Sequence, residues 1–387
     1  MNSWWPAGVL IAIVVAIVSA SRHPSAQRIF HWLPIPLWCY AIPMVAVAVG
    51  WLPAEHAEHP LYRHLTDRLL PFALGVLLLG VDLPSIMQAG GRALLAAAIG
   101  AVGIIVGAPL GVWLLQNRLP PEAWKGAAAL AGTWTGGTMN LLSLRMILQI
   151  PDVVFAPLIV VDAMIAYGWM ACLIAASGFE QPINRWLRVT TTPHVRDAHV
   201  SAEDQSTTPL RLLSACAALS LGLVIGARAL AARLPTFQLI TSTNGWTVLL
   251  VTTIALGLSL IPTVRRIGAT GSRLGYPCLY LVLAATGAQA SLNALWSAPM
   301  WLILGLIIVI VHGLALLVAG RWLRLPLGML ATASQANIGG VVSAPLVGAV
   351  YDQSLAPIGL LLAVAGNALG TYLGLWAATL CRWFLRI

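Results

Sequence analysis

Two polar stretches and one carboxylate hold the chemistry that this sequence could perform inside a lipid bilayer. The stretches are AGTWTGGTMN (131–140) and ATASQANIGG (331–340), each set in an otherwise apolar run. In the first, Thr133, Thr135, Thr138 and Asn140 surround Gly136 and Gly137; in the second, Ser334, Gln335 and Asn337 precede Gly339 and Gly340. Hydroxyls and amides in lipid must find hydrogen-bond partners, and a glycine weakens a helix by about 1 kcal/mol relative to alanine. A helix broken at such a point frees backbone N–H and C=O groups, which a membrane tolerates only where they are buried in protein or line a cavity. Freed N–H groups at a half-helix N-terminus favour an anion, and freed carbonyls favour a cation. Small polar side chains can also serve as glue between helices. Their clustering at both glycine pairs, rather than dispersal along the helices, favours a ligand or ion site.

The carboxylate is Asp162 in VVDAMIAYGWM. It stands about ten residues into its apolar segment, hence roughly 15 Å deep at 1.5 Å per residue, near the bilayer centre. An ionisable group there costs about 3 kcal/mol or more and implies function, against the alternative of a buried structural hydrogen bond. Asp82 also lies in an apolar run, but near its end and just before Pro84, where a helix-end role is expected. His312 is the one histidine inside an apolar segment. Its two readings are a packing histidine bonded to a broken-helix carbonyl and a proton relay. Neutral oxygens around one carboxylate suit a Na⁺ ion near Asp162, Asn140 and Asn337, whereas a desolvated Asp162 suits H⁺; the residues leave both open.

Composition sets the frame for these residues. The 387-residue chain is 59% hydrophobic and 9% charged, with a mean hydropathy of +0.87, which excludes an ordinary soluble domain and indicates a polytopic membrane protein. Its net charge of +9 arises from 21 Lys and Arg against 12 acids, sited mostly in short gaps where basic residues set orientation, so no nucleic-acid partner is expected. The cysteines (Cys39, Cys172, Cys216, Cys278, Cys381) show no CxxC pair and no nearby histidine, so core packing is expected rather than a metal site. No cofactor is implied. The first apolar run, WWPAGVLIAIVVAIVSA, lacks a basic lead and reads as a membrane helix rather than a signal peptide.

At about 20 apolar residues per crossing, twelve candidate segments appear, near 4–20, 32–52, 69–87, 93–116, 123–148, 153–178, 209–232, 243–262, 276–295, 298–320, 326–350 and 355–381. The polar stretch 179–209 divides them into a first membrane repeat, 1–178, and a second, 210–387, and reads as a flexible linker. An offset of 203 lays RLPPEAWKGAAALAGTWTGG (118–137) on RWLRLPLGMLATASQANIGG (321–340) without a gap, so that the glycine pairs coincide. With two residues of slippage DAMIAY (162–167) falls on NALGTY (367–372), matching Asp162 to Asn367. Corresponding Gly-interrupted segments in two halves are expected of a secondary transporter whose discontinuous helices meet at the bilayer midplane.

At these residues the sequence resembles a known family. GTWTGGTMNLLSL, VVDAMIAYGWM, VHGLALLVAGRWLRL and ASQANIGG are similar to the YjcL-like family of uncharacterised membrane proteins (domain of unknown function 819). More remotely, LGVDLPSI, TWTGGTMN and the His312 helix leading into SQANIGG resemble the order of elements in bile acid:sodium symporters. The resemblance implies an all-α polytopic protein of two inverted repeats, with two crossed, discontinuous helices in a panel plus core arrangement. The sequence departs from the symporters in having TWTGGT for their Pro-Gly-Gly and no acid leading into the second motif, which leaves the cation's counter-charge to Asp162.

The function expected is a Na⁺- or H⁺-coupled carrier of a small organic solute, foremost an organic anion, in a bacterial cytoplasmic (inner) membrane, as a monomer or homodimer. An intramembrane enzyme is the competing class, but an aspartyl mechanism needs two deep carboxylates and Ser259 in GLSL lacks an exposing glycine. A channel or transport-like sensor would share the site without the coupling. Twelve crossings place fifteen basic residues, Arg321 and Arg324 among them, on one face and six, including Arg92, on the other, which makes the repeats parallel. Inversion instead requires one segment to be miscounted and Arg92 to share a face with Arg265 and Arg266.

Overall fold

A computed structural model of the protein describes residues 4–26, 29–30, 33–54, 60–189, 210–237, 239–290 and 292–386. The described residues are helical, without a strand. In chain order the first helices are α1 (Trp5–Ser21), α2 (Ile35–Ala48), α3 (Leu61–Leu78), α4 (Gly91–Leu115), α5 (Ala123–Gly136), α6 (Thr138–Leu148), α7 (Asp152–Ala176) and α8 (Glu180–Trp186). They are followed by α9 (Leu210–Ala231), α10 (Thr243–Ser259), α11 (Pro262–Gly268), α12 (Ser272–Gln289), α13 (Ala298–Leu323), α14 (Leu327–Ile338), α15 (Ser343–Tyr351) and α16 (Leu355–Leu385). Among the described residues, five helices are long and apolar enough to cross a bilayer: α4, α7 extended through α8, α9, α13 and α16. The pair α10–α11 qualifies together but is bent by 117°. The protein is an integral membrane protein. Of the stretch expected to be a linker, 180–186 forms α8, and 190–209 lies outside the described residues.

The chain folds as two compact units, each drawing on both sides of that stretch. Unit 1 comprises Met1–Val81, Arg145–Ala163 and Thr208–Pro299. Within it α12 packs on α2 and α3, and α3 on α9 and α10. Glycines allow the closest approaches: Gly287 faces the Tyr40 carbonyl and Gly75 faces Ser220, whose hydroxyl donates to the Phe72 carbonyl at 3.0 Å. Arg145 pairs with Asp152 at 2.5 Å and lies 4.7 Å from the ring centre of Phe155. Three cysteines (Cys39, Cys216, Cys381) are buried, whereas Cys172 is exposed on α7, against the expectation of core packing throughout.

Unit 2 comprises Asp82–Leu144, Met164–Thr207 and Met300–Ile387. Here α4 and α13 meet along a stripe of small residues. A side chain added at Gly103 would strike the His312 backbone, at Gly107 the Ile308 backbone, and at Gly111 the Leu304 side chain. Spacings of four along one helix keep these glycines on one face, so the two backbones approach as small-residue membrane interfaces allow.

The two glycine pairs reverse the chain. Gly137 has φ +80° and Gly340 φ +83°, the left-handed region that glycine enters without steric cost. After Gly137 the chain returns: the Leu144 side chain comes within 2.2 Å of where a Gly132 Cβ would stand, twelve residues earlier. A continuous helix would hold those positions about 18 Å apart. After Gly340 it returns again, so that Tyr351 Cβ lies 2.8 Å from the Cβ position of Gly328. Thus α5–α6 and α14–α15 are hairpins. The expectation of two broken helices that each traverse the membrane is corrected: each segment turns back at its glycine pair.

Helix α16 fixes the sense of both hairpins. It is 31 residues long, about 46 Å at 1.5 Å per residue. Near its start, Gly359 lies against Ala344 and Thr332 of the second hairpin. Further on, Gly366 meets Thr135, Gly370 meets Gly132 and Gly374 meets Ala128, and Arg382 lies 5.7 Å from the ring of Trp124 at the base of the first. The hairpins therefore enter unit 2 from opposite ends of α16. Arg92, at the start of α4, donates to the carbonyls of Leu323 and Arg324 at 3.1 and 3.0 Å. This corrects the twelve-crossing count, which put Arg92 and Arg324 on opposite faces.

Candidate functional site

The tip of the first hairpin is held by Asn140. Its amide donates to the Gly136 carbonyl at 2.6 Å and, more weakly, to the Asn367 carbonyl at 3.4 Å, while its own oxygen accepts the Thr371 hydroxyl at 2.6 Å. One side chain thus closes the turn and ties it to α16. Gly136 has no room for more: an added Cβ would sit 2.3 Å from the Gly366 carbonyl oxygen and 2.4 Å from the Asn140 amide. The Thr135 hydroxyl donates back to the Ala131 carbonyl at 2.8 Å, the Gly137 N–H donates to the Thr133 carbonyl, and Thr133 is buried. Thr138 opens α6, partly exposed. Asn367, also partly exposed, holds its side-chain oxygen 3.0 Å from the Cβ position of Gly137.

The second tip is built from its own amide. Gln335, 1% exposed, donates to the Ser343 hydroxyl at 2.9 Å across the turn, filling the space where a Gly339 side chain would be. Its carbonyl oxygen is buried with no hydrogen-bond partner among the described residues. An unsatisfied buried amide oxygen costs about 1–3 kcal/mol, so its presence calls for a partner. Asn337 reaches the other way, its amide donating to the Ala97 carbonyl of α4 at 3.0 Å. Gly340, by contrast, has open space where its Cβ would be.

Ser334 and His312 lock this hairpin to its neighbours. His312 Nδ1 lies 2.8 Å from the Gly100 carbonyl and Nε2 lies 2.7 Å from Ser334 Oγ. A carbonyl only accepts, so Nδ1 carries the proton; Ser334 then donates to Nε2 and accepts from Trp169 Nε1–H at 2.8 Å. Every polar atom of the imidazole is used. Gly100 is where these groups converge, since a Cβ there would meet the Asn337 amide at 2.5 Å and His312 Cε1 at 2.8 Å. The carbonyl that His312 grips belongs to α4, which is continuous, and not to a broken helix as expected. Trp169 was not legible as a member of this set; nothing in its spacing from Ser334 or His312 signals it.

Every candidate residue except Asp162 therefore belongs to unit 2. Asp162 is partly buried on α7, and belongs to unit 1, next to that unit's boundary at Ala163. Asp82 accepts from the backbone N–H of Ser85 at 3.2 Å and from its hydroxyl at 2.6 Å, capping the short helix Leu83–Ile86. At the tips the donors are neutral oxygens and amides, and a hard cation takes oxygen ligands. The Gln335 oxygen fits such an ion, whereas the Asn140 oxygen already serves Thr371. Each tip also joins the carbonyl end of an entering helix to the N–H end of a returning one, so a cation and an anion would both find partial charges to face.

Residues 8–384 match the family described as Protein of unknown function (DUF819). The chain is also similar to the uncharacterized membrane protein YjcL of Bacillus subtilis (strain 168), with 24% identity over 353 residues, covering 86% of this chain and 87% of YjcL.

Proposed function

The chain belongs to the DUF819 family, and from that premise we propose that it is a secondary active transporter, coupling a cation to the movement of a small organic anion across a bacterial cytoplasmic membrane. The observation that carries this reading is the pair of hairpins entering unit 2 from opposite ends, with the partnerless buried oxygen of Gln335 at one tip and the Asn140–Thr371 clasp at the other. Two tips reached from opposite faces are what alternating exposure of a central site requires. If each candidate segment holding a hairpin is no crossing, five crossings remain in each half. An odd number would turn the second half upside down relative to the first, and so supports inverted repeats over the parallel arrangement of the twelve-crossing count.

In this mechanism the neutral tips of unit 2 bind the solute, and Asp162 of unit 1 is the coupling residue. His312 is a fastener: its neutral, fully bonded ring holds the second hairpin to α4 and α13 while solute comes and goes. The test is counterflow in proteoliposomes. Purified protein is loaded with unlabelled solute, and uptake of labelled solute is followed across carboxylates, amino acids and sterol-like anions under Na⁺ and H⁺ gradients. A carrier gives a transient overshoot for one class and a gradient-driven gain with one cation. Flux without overshoot would make the protein a channel, and absence of flux for every class under both gradients would overturn the proposal.

A further inference from the structure

We propose that the end of unit 2 carrying Arg92, Arg185, Arg188, Arg321 and Arg324 is a binding site for the phosphate of an anionic phospholipid headgroup. The contacts place these residues together. Arg92 holds the Leu323 and Arg324 carbonyls, and Arg321 donates to the Trp186 carbonyl with its guanidinium 4.8 Å from that residue's ring centre. Asn184 accepts from the backbone N–H of Leu327 at 2.8 Å, bringing α8 to the base of the second hairpin. Two arginines are thus tied to the protein, while Arg185, Arg188 and Arg324 are exposed and, among the described residues, have no ion-pair partner. Among the described acids at this end, Glu180 accepts from Asn184 at 3.3 Å and Asp352 from the Ser354 N–H at 2.8 Å.

A second observation concerns the backbone. Arg188 has φ +59° and Arg324 φ +53°, each just beyond the end of its helix, where glycine is the usual occupant because an L side chain crowds there. Helix caps hold this geometry, with the Val189 N–H donating to the Asn184 carbonyl at 3.1 Å and the Leu325 N–H to the Gly320 carbonyl at 2.9 Å, and they fix two arginines from separate elements at one end of the unit. Exposed aromatic rings flank them: Trp186 is 48%, Phe179 65% and Trp322 81% exposed. Tryptophan at this depth belongs to the headgroup layer, and clustered arginines there attract anionic lipid. A guanidinium pair also matches phosphate geometrically. The location at the end of membrane-crossing helices favours a lipid over a soluble phosphate.

The experiment is thermal unfolding of the full-length protein in an uncharged detergent, titrated with phosphatidylglycerol, phosphatidylcholine or inorganic phosphate. The midpoint should rise with phosphatidylglycerol alone. The double variant Arg188→Gly/Arg324→Gly should unfold no earlier than the parent without lipid, since glycine takes both backbone positions freely. Its affinity for phosphatidylglycerol should nevertheless fall about fivefold for each arginine removed. Arg185→Gln, exposed on α8 and leaving both positive-φ positions unchanged, should lower affinity by a similar factor. Unchanged lipid affinity in these variants would overturn the site, and an equal rise with inorganic phosphate would overturn the lipid as its ligand.

Discussion

Gly136→Ala should unseat the first hairpin from α16, and the size of the effect follows from the contacts. The new methyl would stand 2.3 Å from the Gly366 carbonyl oxygen, where ordinary contact begins at 3.4 Å, so the helices must part by about 1 Å or the turn must deform. Overpacking of this kind costs about 1–3 kcal/mol. Parting also stretches the Asn140 bond to Gly136 and the Thr371 bond to Asn140, both now 2.6 Å, each worth about 0.6 kcal/mol in a membrane interior. Against this, alanine is the better helix former by about 1 kcal/mol. The net destabilisation is about 2 kcal/mol. Gly168→Ala on α7 is the control, because no atom lies within 4 Å of its Cβ position and only the helix gain remains. Unfolding in mixed micelles of increasing denaturing detergent, followed by tryptophan fluorescence, should separate the two variants by about 3 kcal/mol. Equal stability of the two would refute the close packing of α5 on α16.

Other outcomes follow from the same contacts. Gly340→Ala should cost about 1–2 kcal/mol although its Cβ meets open space, because φ is +83° there, and Gly340→Asn should cost less; the same unfolding assay reads both. Cysteines at Arg92, Arg324 and Gln353, introduced in a background lacking the native thiols, should label with an impermeant maleimide from one face, and a cysteine at Arg118 from the other; labelling of positions 324 and 353 from opposite faces would mean that the second hairpin is a crossing after all. Asp162→Asn should remove gradient-driven accumulation while leaving the protein folded and exchange intact, since the neutral amide is cheaper to bury than a carboxylate. Full accumulation by that variant would move the coupling charge elsewhere.

Much of this was legible in the residues, and the part that was not has a physical cause. The glycine pairs announced two interruptions, because polar clusters at matched offsets in apolar runs are costly in lipid unless the helix is interrupted there and its neighbours bond the freed groups. Whether the chain then continues or turns back was hidden by length: the 26-residue segment 123–148 satisfies a crossing as well as a hairpin. The helices themselves decide it, for α5 has 14 residues and α6 has 11, about 21 and 17 Å at 1.5 Å each, neither enough for a core of about 30 Å. A usable signal was present in Gly132 and Gly136, and in Gly366, Gly370 and Gly374, two stripes of spacing four that proved to face each other. The union of Trp169, Ser334 and His312 left no such trace, because three distant positions share no period.

The dependence of the first hairpin on α16 has a consequence for how the protein is made. Thr371 lies 231 residues beyond the Asn140 it holds. At about 5–20 residues per second, the hairpin emerges from the ribosome roughly 10–50 s before the helix that seats it exists. During that interval α5 exposes its glycine face and both hairpin arms are too short to span the bilayer alone, so the hairpin must wait at the membrane surface or shelter against a temporary partner. Chains ending before Gly366 should therefore retain α4 as a crossing yet leave residues 123–148 open to protease, and those residues should become protected only when synthesis passes Gly374.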